Sequence, residues 1–196
     1  MVNLPVVEEG WKLAPSCILA TLMSTSTSSP IGEPIEYRFA DDGRIPNNPR
    51  LPLRVYQRAV DPEGEGDLAE AFERLFAACG WVPAWRDGIY PFPHFHSTAH
   101  EVLGIAAGRL RVRLGGDRGV VVELGPGDAV VIPAGVGHQR LAPAAGLLVV
   151  GGYPSGQQPD LRRGLDAERS AVLRAIAALD DPTHDPVTGE AWTAGT

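Results

Sequence analysis

Between Arg109 and Leu114 charged and apolar residues alternate strictly, with Arg109, Arg111 and Arg113 set against Leu110, Val112 and Leu114. A period of two places the arginines on one face of a strand and the aliphatic side chains on the other. The arginines are expected to face solvent or a subunit interface, because an inward guanidinium needs a partner to offset its desolvation. Similar short apolar runs recur at 101–107, 120–124, 128–132 and 147–153, separated by turn residues such as Gly115-Gly116-Asp117 and Gly125-Pro126-Gly127. Leu53 to Val60 adds a further run with β-branched and aromatic content. This rhythm predicts an all-β antiparallel sandwich or double-stranded β-helix of the jelly-roll class, and it leaves little room for a parallel α/β sheet.

Two segments change period. Leu68, Ala71, Phe72, Leu75 and Phe76 repeat at helical spacing, with Asp67 placed as N-cap and Gly80 as stop. A second helix is expected over 166–179, where Val172, Leu173, Ile176 and Leu179 form the apolar stripe. Both helices should be peripheral, the first packed on the barrel and the second on the barrel or on another subunit. The polar run Ser24 to Pro30 reads as linker, so the chain divides into a flexible N-terminal extension at 1–35, one domain at 36–189 and an irregular tail at 190–196.

Length fits that division, since 196 residues make one ordinary domain with extensions. A formal charge of −7 argues against nucleic acid or an anionic membrane as partner and favours a small molecule. Lys12 is the only lysine and lies in the extension, so a lysine base or Schiff base in the barrel is not expected. Cys17 and Cys79 are too few for a disulfide framework, which fits a reducing cytoplasm. No apolar run is long enough to span a bilayer, and residues 13–23 lack the basic start and cleavage site of a signal peptide.

The candidate chemistry is concentrated. Four of the five histidines, His94, His96, His100 and His138, fall within 94–138. His94 and His96 are two apart, so in an extended segment they share a face and can reach one ion. Glu101 lies five residues beyond His96, and a regular strand would turn it away; the chain must bend or bulge over 97–99 for Glu101 to join. His100 is the competing donor, either as a ligand itself or as a hydrogen-bond partner to one. His138 follows Ile132-Pro133-Ala134-Gly135-Val136-Gly137, a turn-forming approach that delivers one side chain from a neighbouring strand. A single histidine is usually a surface or hydrogen-bonded core residue, but this grouping is the donor set of a divalent transition metal. Tyr90, Phe92 and Phe95 flank it and line either a pocket or the core; Trp81 and Trp85 face the same choice. Tyr90 and His100 are candidate proton shuttles, and His184 is expected to be unrelated to the site.

These residues resemble the cupin superfamily. Its first motif, G-x5-H-x-H-x4-E-x6-G, is matched by Gly88, His94, His96, Glu101 and Gly108. Its second, G-x5-P-x-G-x2-H-x3-N, is matched by Gly127, Pro133, Gly135 and His138, while Ala142 replaces the closing Asn. The resemblance implies a jelly-roll cupin barrel with two peripheral helices, and it selects His94, His96, Glu101 and His138 as ligands of one divalent ion per chain, Fe, Mn, Ni, Zn, Co or Cu. From about Asn47 to Gly189 the chain looks like small, uncharacterised bacterial single-domain cupins, and the same resemblance implies a homodimer.

Three imidazoles and one carboxylate would leave the ion a net positive charge and, in six-coordination, two open positions. That set supports three readings. The first is an enzyme acting on a small organic molecule, with dioxygenase-like chemistry ahead of isomerase-like. The second is a cupin that binds or senses a small ligand without turnover. The third is a barrel whose metal is purely structural, as in closed zinc sites.

Overall fold

In the computed structural model, residues 31–64, 66–142 and 145–192 are described. The extension expected over 1–35 lies outside them up to Pro30, together with Cys17 and the linker, and so do residues 193–196. Among the described residues, nine strands form two antiparallel sheets. They are β1 (Ile35–Tyr37), β2 (Leu53–Tyr56), β3 (Trp81–Asp87), β4 (Glu101–Ala107), β5 (Leu110–Leu114), β6 (Val120–Leu124), β7 (Ala129–Ile132), β8 (His138–Arg140) and β9 (Leu148–Pro154). The larger sheet runs β1-β2-β7-β4-β9-β3 and the smaller β6-β5-β8. Together they make the jelly-roll barrel that the strand rhythm predicts.

The interior of the barrel is filled by the inward residues of both sheets, among them Leu53, Val55, Leu103, Ile105, Leu110, Val112, Leu114, Val130 and Val149. On β5 the apolar set points in, while Arg111 pairs with Glu123 and Arg113 with Asp117 at the surface. The arginines therefore lie on the outer face of the strand, as expected. The outer face of the larger sheet is covered as well, by α1 (Leu68–Ala78), whose Phe72 and Phe76 pack on Val102, Val131 and Val150. Asp67 caps α1 by accepting from the amides of Ala69 and Glu70. A sheet buried on both faces explains why β7 reads as the unbroken apolar run Ala-Val-Val-Ile. After a 3-10 turn at 166–168, α2 (Arg169–Ala178) packs Val172 and Ile176 against Ile45 and Phe95.

The sequence pattern misses β3. Pro83 interrupts its alternation, which an edge strand tolerates because its outer amides have no partner. The register against β9 shifts between Pro83 and Trp85. That irregularity reverses which face the side chains take. Trp81 is consequently buried under α1 and stacked on Trp192, while Trp85, four residues on, turns to the barrel side. The strand expected to run to Val60 stops at Tyr56, where the chain turns through Arg58 at φ +54°.

Candidate metal centre

Each site residue is delivered by a different local device. Glu101 opens β4, and the period of two puts it on the barrel-facing side with Leu103 and Ile105. The bend expected before it is present at Ser97–Thr98. His94 and His138 pair across an isolated antiparallel bridge, His94 N–H donating to the His138 carbonyl at 3.2 Å and the reverse bond measuring 2.9 Å. Phe95 pairs the same way with Arg162, so residues 94–96 are clamped between β8 and the segment 157–162.

The turn that brings in His138 depends on Gly135, whose φ is +90° and whose missing Cβ would lie 2.7 Å from the Asn47 carbonyl oxygen. Two neighbouring asparagines hold it. Asn47 donates its backbone N–H to the Gly135 carbonyl, and the Asn48 amide donates to the Ala134 carbonyl at 3.0 Å. These contacts secure the turn in a chain that has Ala142 where the second motif would end in Asn.

All three imidazoles are oriented by their Nδ1 atoms. His94 Nδ1 donates to the Phe92 carbonyl at 3.1 Å, His138 Nδ1 to the Val136 carbonyl at 3.3 Å, and His96 Nδ1 to the Asp160 carbonyl. A nitrogen facing a carbonyl must carry the proton, so each Nε2 is left as a lone-pair donor. One nitrogen from each of His94, His96 and His138 lies within 4.8 Å of the others, and all three residues are buried. Glu101 Oε2 lies 3.2 Å from His138 Nε2 and 3.5 Å from His96 Nε2. Atoms that ligate one ion at about 2.1 Å stand roughly 3 Å apart, so these separations fit a shared cation. Glu101 Oε2 is also buried without a hydrogen-bond donor, a costly state for a carboxylate oxygen that a bound cation would relieve.

The electrostatics agree with a cationic occupant. Burial, reinforced by His138, pushes His94 down to about 3, so its ring stays neutral and available as a donor. Burial opposes charge on His96, but the Glu101 carboxylate beside it prevails and raises its pKa. Burial likewise opposes charge on Glu101, and the His96 and His138 rings overcome it, holding the carboxyl well below the usual range.

Two residues that sequence reasoning did not place at the site, Tyr153 and Asp160, support it. Tyr153 donates its hydroxyl to Glu101 Oε1 at 3.0 Å and accepts from Trp85 Nε1 at 2.8 Å. Burial first, and Glu101 second, raise the Tyr153 pKa, so it stays a phenol. Asp160, beside its carbonyl contact to His96, uses its carboxylate on the Ser97 amide and hydroxyl and on Arg162. The alternation Val149-Gly151-Tyr153 was the available signal for Tyr153, since it sets the phenol on the barrel side of β9. Nothing in the irregular run around Asp160 gave a comparable signal.

His100 plays neither expected part. Its Nδ1 accepts the Ala134 N–H at 3.1 Å and its Nε2 donates to the Asp180 carbonyl at 3.3 Å, on the side of the strand opposite Glu101. Tyr90 is half exposed at the mouth and stacks on Phe92, Phe95 is core, and His184 lies at the surface away from the site. A cavity of about 360 Å³ opens onto His94, His96, Glu101 and His138, and its remaining wall includes Trp85, Ile89, Tyr90, Leu103, Tyr153 and Leu161.

The family model of the cupin domain matches residues 87–145. The protein YjlB of Bacillus subtilis (strain 168), described as uncharacterized, is 42% identical over 154 residues, covering 79% of this chain and 90% of that protein. Among solved structures, acireductone dioxygenase from Bacillus anthracis, with a cadmium ion in its active centre, is 18% identical over 47% of this chain and 64% of its own, at a TM-score of 0.33. The polyketide cyclase RemF from Streptomyces resistomycificus is 18% identical over 81% of this chain and 100% of its own, also at 0.33. The chain thus spans less than two thirds of the dioxygenase's length.

Proposed function

The chain belongs to the cupin superfamily, and from that premise we propose that it is a metal-dependent enzyme acting on a small organic molecule, with dioxygenase-like chemistry ahead of isomerase-like. The observation that carries this reading is the convergence of three Nε2 lone pairs and an unpartnered, buried Glu101 oxygen at the floor of an open cavity. A divalent transition ion held by His94, His96, His138 and Glu101 would supply a Lewis acid and, if redox-active, a route for electrons between two molecules bound side by side.

The chain's own residues define what could approach. Among the described residues, none lining the cavity is a lysine or arginine. The Trp85 indole, the Tyr153 hydroxyl and the imidazole Nδ1 atoms are already donating to protein acceptors. A carboxylate or phosphate remote from the ion would therefore be desolvated without a cationic partner, with only the Tyr90 hydroxyl at the mouth to donate to it. The wall suits a neutral molecule with an apolar body held against Trp85, Ile89, Leu103 and Leu161 and its oxygen donors gathered at one end. The open cavity also speaks against a purely structural metal, whose site would be closed by protein.

One observation favours the second reading, ligand binding without turnover. The acid and the phenol deepest in the wall are engaged, Asp160 by Ser97 and Arg162 and Tyr153 by Glu101 and Trp85, so a general base would have to come from Asp87 or Tyr90 at the exposed rim. Elemental analysis of the tag-free protein beside a His96→Ala, His138→Ala double variant tests the shared premise. Near-stoichiometric metal, absent from the variant, is expected. Absence of metal after anaerobic reconstitution with each candidate ion sinks both readings, and oxygen uptake or product formation with neutral probes separates them.

A further inference from the structure

We propose that Tyr153 is a positioning residue that commits Glu101 to presenting a single oxygen to the ion, an inference that rests on the metal reading above. A carboxylate can ligate through one oxygen or two, and the choice decides whether one or two positions around the ion are consumed. In this site the two oxygens of Glu101 have different surroundings. Oε1 accepts the Tyr153 hydroxyl at 3.0 Å, whereas Oε2 faces His138 and His96 and has no donor. Tyr153 therefore occupies the oxygen that would otherwise be free to swing toward the ion.

Tyr153 is itself held. Trp85 Nε1 donates to the phenol oxygen at 2.8 Å, which directs the hydroxyl proton to Glu101. Trp85 can lie there because the residue opposite it on β9 is Gly151, where a Cβ would meet the indole at 2.0 Å. The irregularity between Pro83 and Trp85 completes the arrangement by turning that indole to the barrel side. Gly151, Trp85, Tyr153 and Glu101 form one chain of contacts from the sheet edge to the candidate ion, and Tyr153 also lines the cavity. By keeping Oε1 occupied, the chain preserves a position for substrate beside the ion.

Cobalt(II) is a suitable probe, because its visible absorption reports coordination number and its affinity can be measured by competition with a chromophoric chelator. In metal-free full-length protein loaded with cobalt(II), Tyr153→Phe is expected to weaken binding about tenfold or more and to change the visible spectrum. Tyr56→Phe is the control, since it removes a comparable buried hydroxyl bond, to Asp185 at 2.7 Å, on the other side of the sheet. It should lower Tm while leaving cobalt affinity and spectrum as in the wild type. A Tyr153→Phe protein with wild-type affinity and spectrum overturns the inference. If that variant does not fold, Trp85→Phe takes its place; it removes the donor that fixes the phenol together with part of the ring, and a wild-type spectrum there overturns the inference equally. Failure of the wild type itself to bind cobalt is a different result, which removes the metal reading and this inference together.

Discussion

Glu101 and His100 are adjacent, and the strand's period of two sends them to opposite faces with opposite consequences. Glu101 faces the three imidazoles as a carboxylate, so Glu101→Gln, which keeps the shape and removes the charge, is expected to lose most of the bound metal by elemental analysis while the fold is retained by circular dichroism. His100 is neutral by construction, accepting from Ala134 and donating to Asp180. Burial, with help from Arg50, holds its pKa down to about 4, against an ordinary value of 6.5. A folded-state pKa below the unfolded one means the unfolded chain binds the proton first. Its contribution is therefore fully present above about pH 6.5 and is lost as pH falls toward 4, at most about 3 kcal/mol. Denaturant unfolding of the metal-free protein at pH 7 and pH 4.5 measures this. His94, also depressed, adds to the same slope, so the test is the difference from His100→Gln, which should lose less stability on acidification than the wild type.

Among elements, legibility followed periodicity. β4 and β6 begin and end where their apolar runs do, and α1 sits between the cap and stop read from Asp67 and Gly80. β3 was hidden by Pro83, and the segment 157–162 that supports His96 has no period, because its role is carried by carbonyls and one carboxylate. The irregularity in β3 makes a specific prediction. Gly151→Ala would drive a methyl into the Trp85 indole and should cost about 1–3 kcal/mol in urea unfolding, as overpacking does. The displaced indole would release Tyr153, so weaker cobalt(II) binding should accompany the lost stability. Unchanged stability would mean that β3 shifts freely at the sheet edge.

For the whole molecule, the site joins β4, β8, the bridge at His94 and the segment after β9, so an ion bound there ties both sheets together. Binding that favours only the folded state stabilises it by about 2.7 kcal/mol at a hundredfold excess over Kd. Removing the ion with a chelator should therefore lower Tm by several degrees in the wild type and leave the His96→Ala, His138→Ala variant unmoved. An equal shift in both would place the stabilising ion elsewhere. The sequence by itself determined the barrel class and the two helices, because alternation and helical spacing are local properties of the chain, and its resemblance to cupins singled out His94, His96, Glu101 and His138. Tertiary structure alone decided the rest: that His100 turns away, that Asp160 and Phe92 orient imidazoles through their carbonyls, and that Tyr153 and Trp85 reach Glu101. These roles depend on strand register and on an irregularity at a sheet edge, which arise only when distant segments pair, so no local pattern records them.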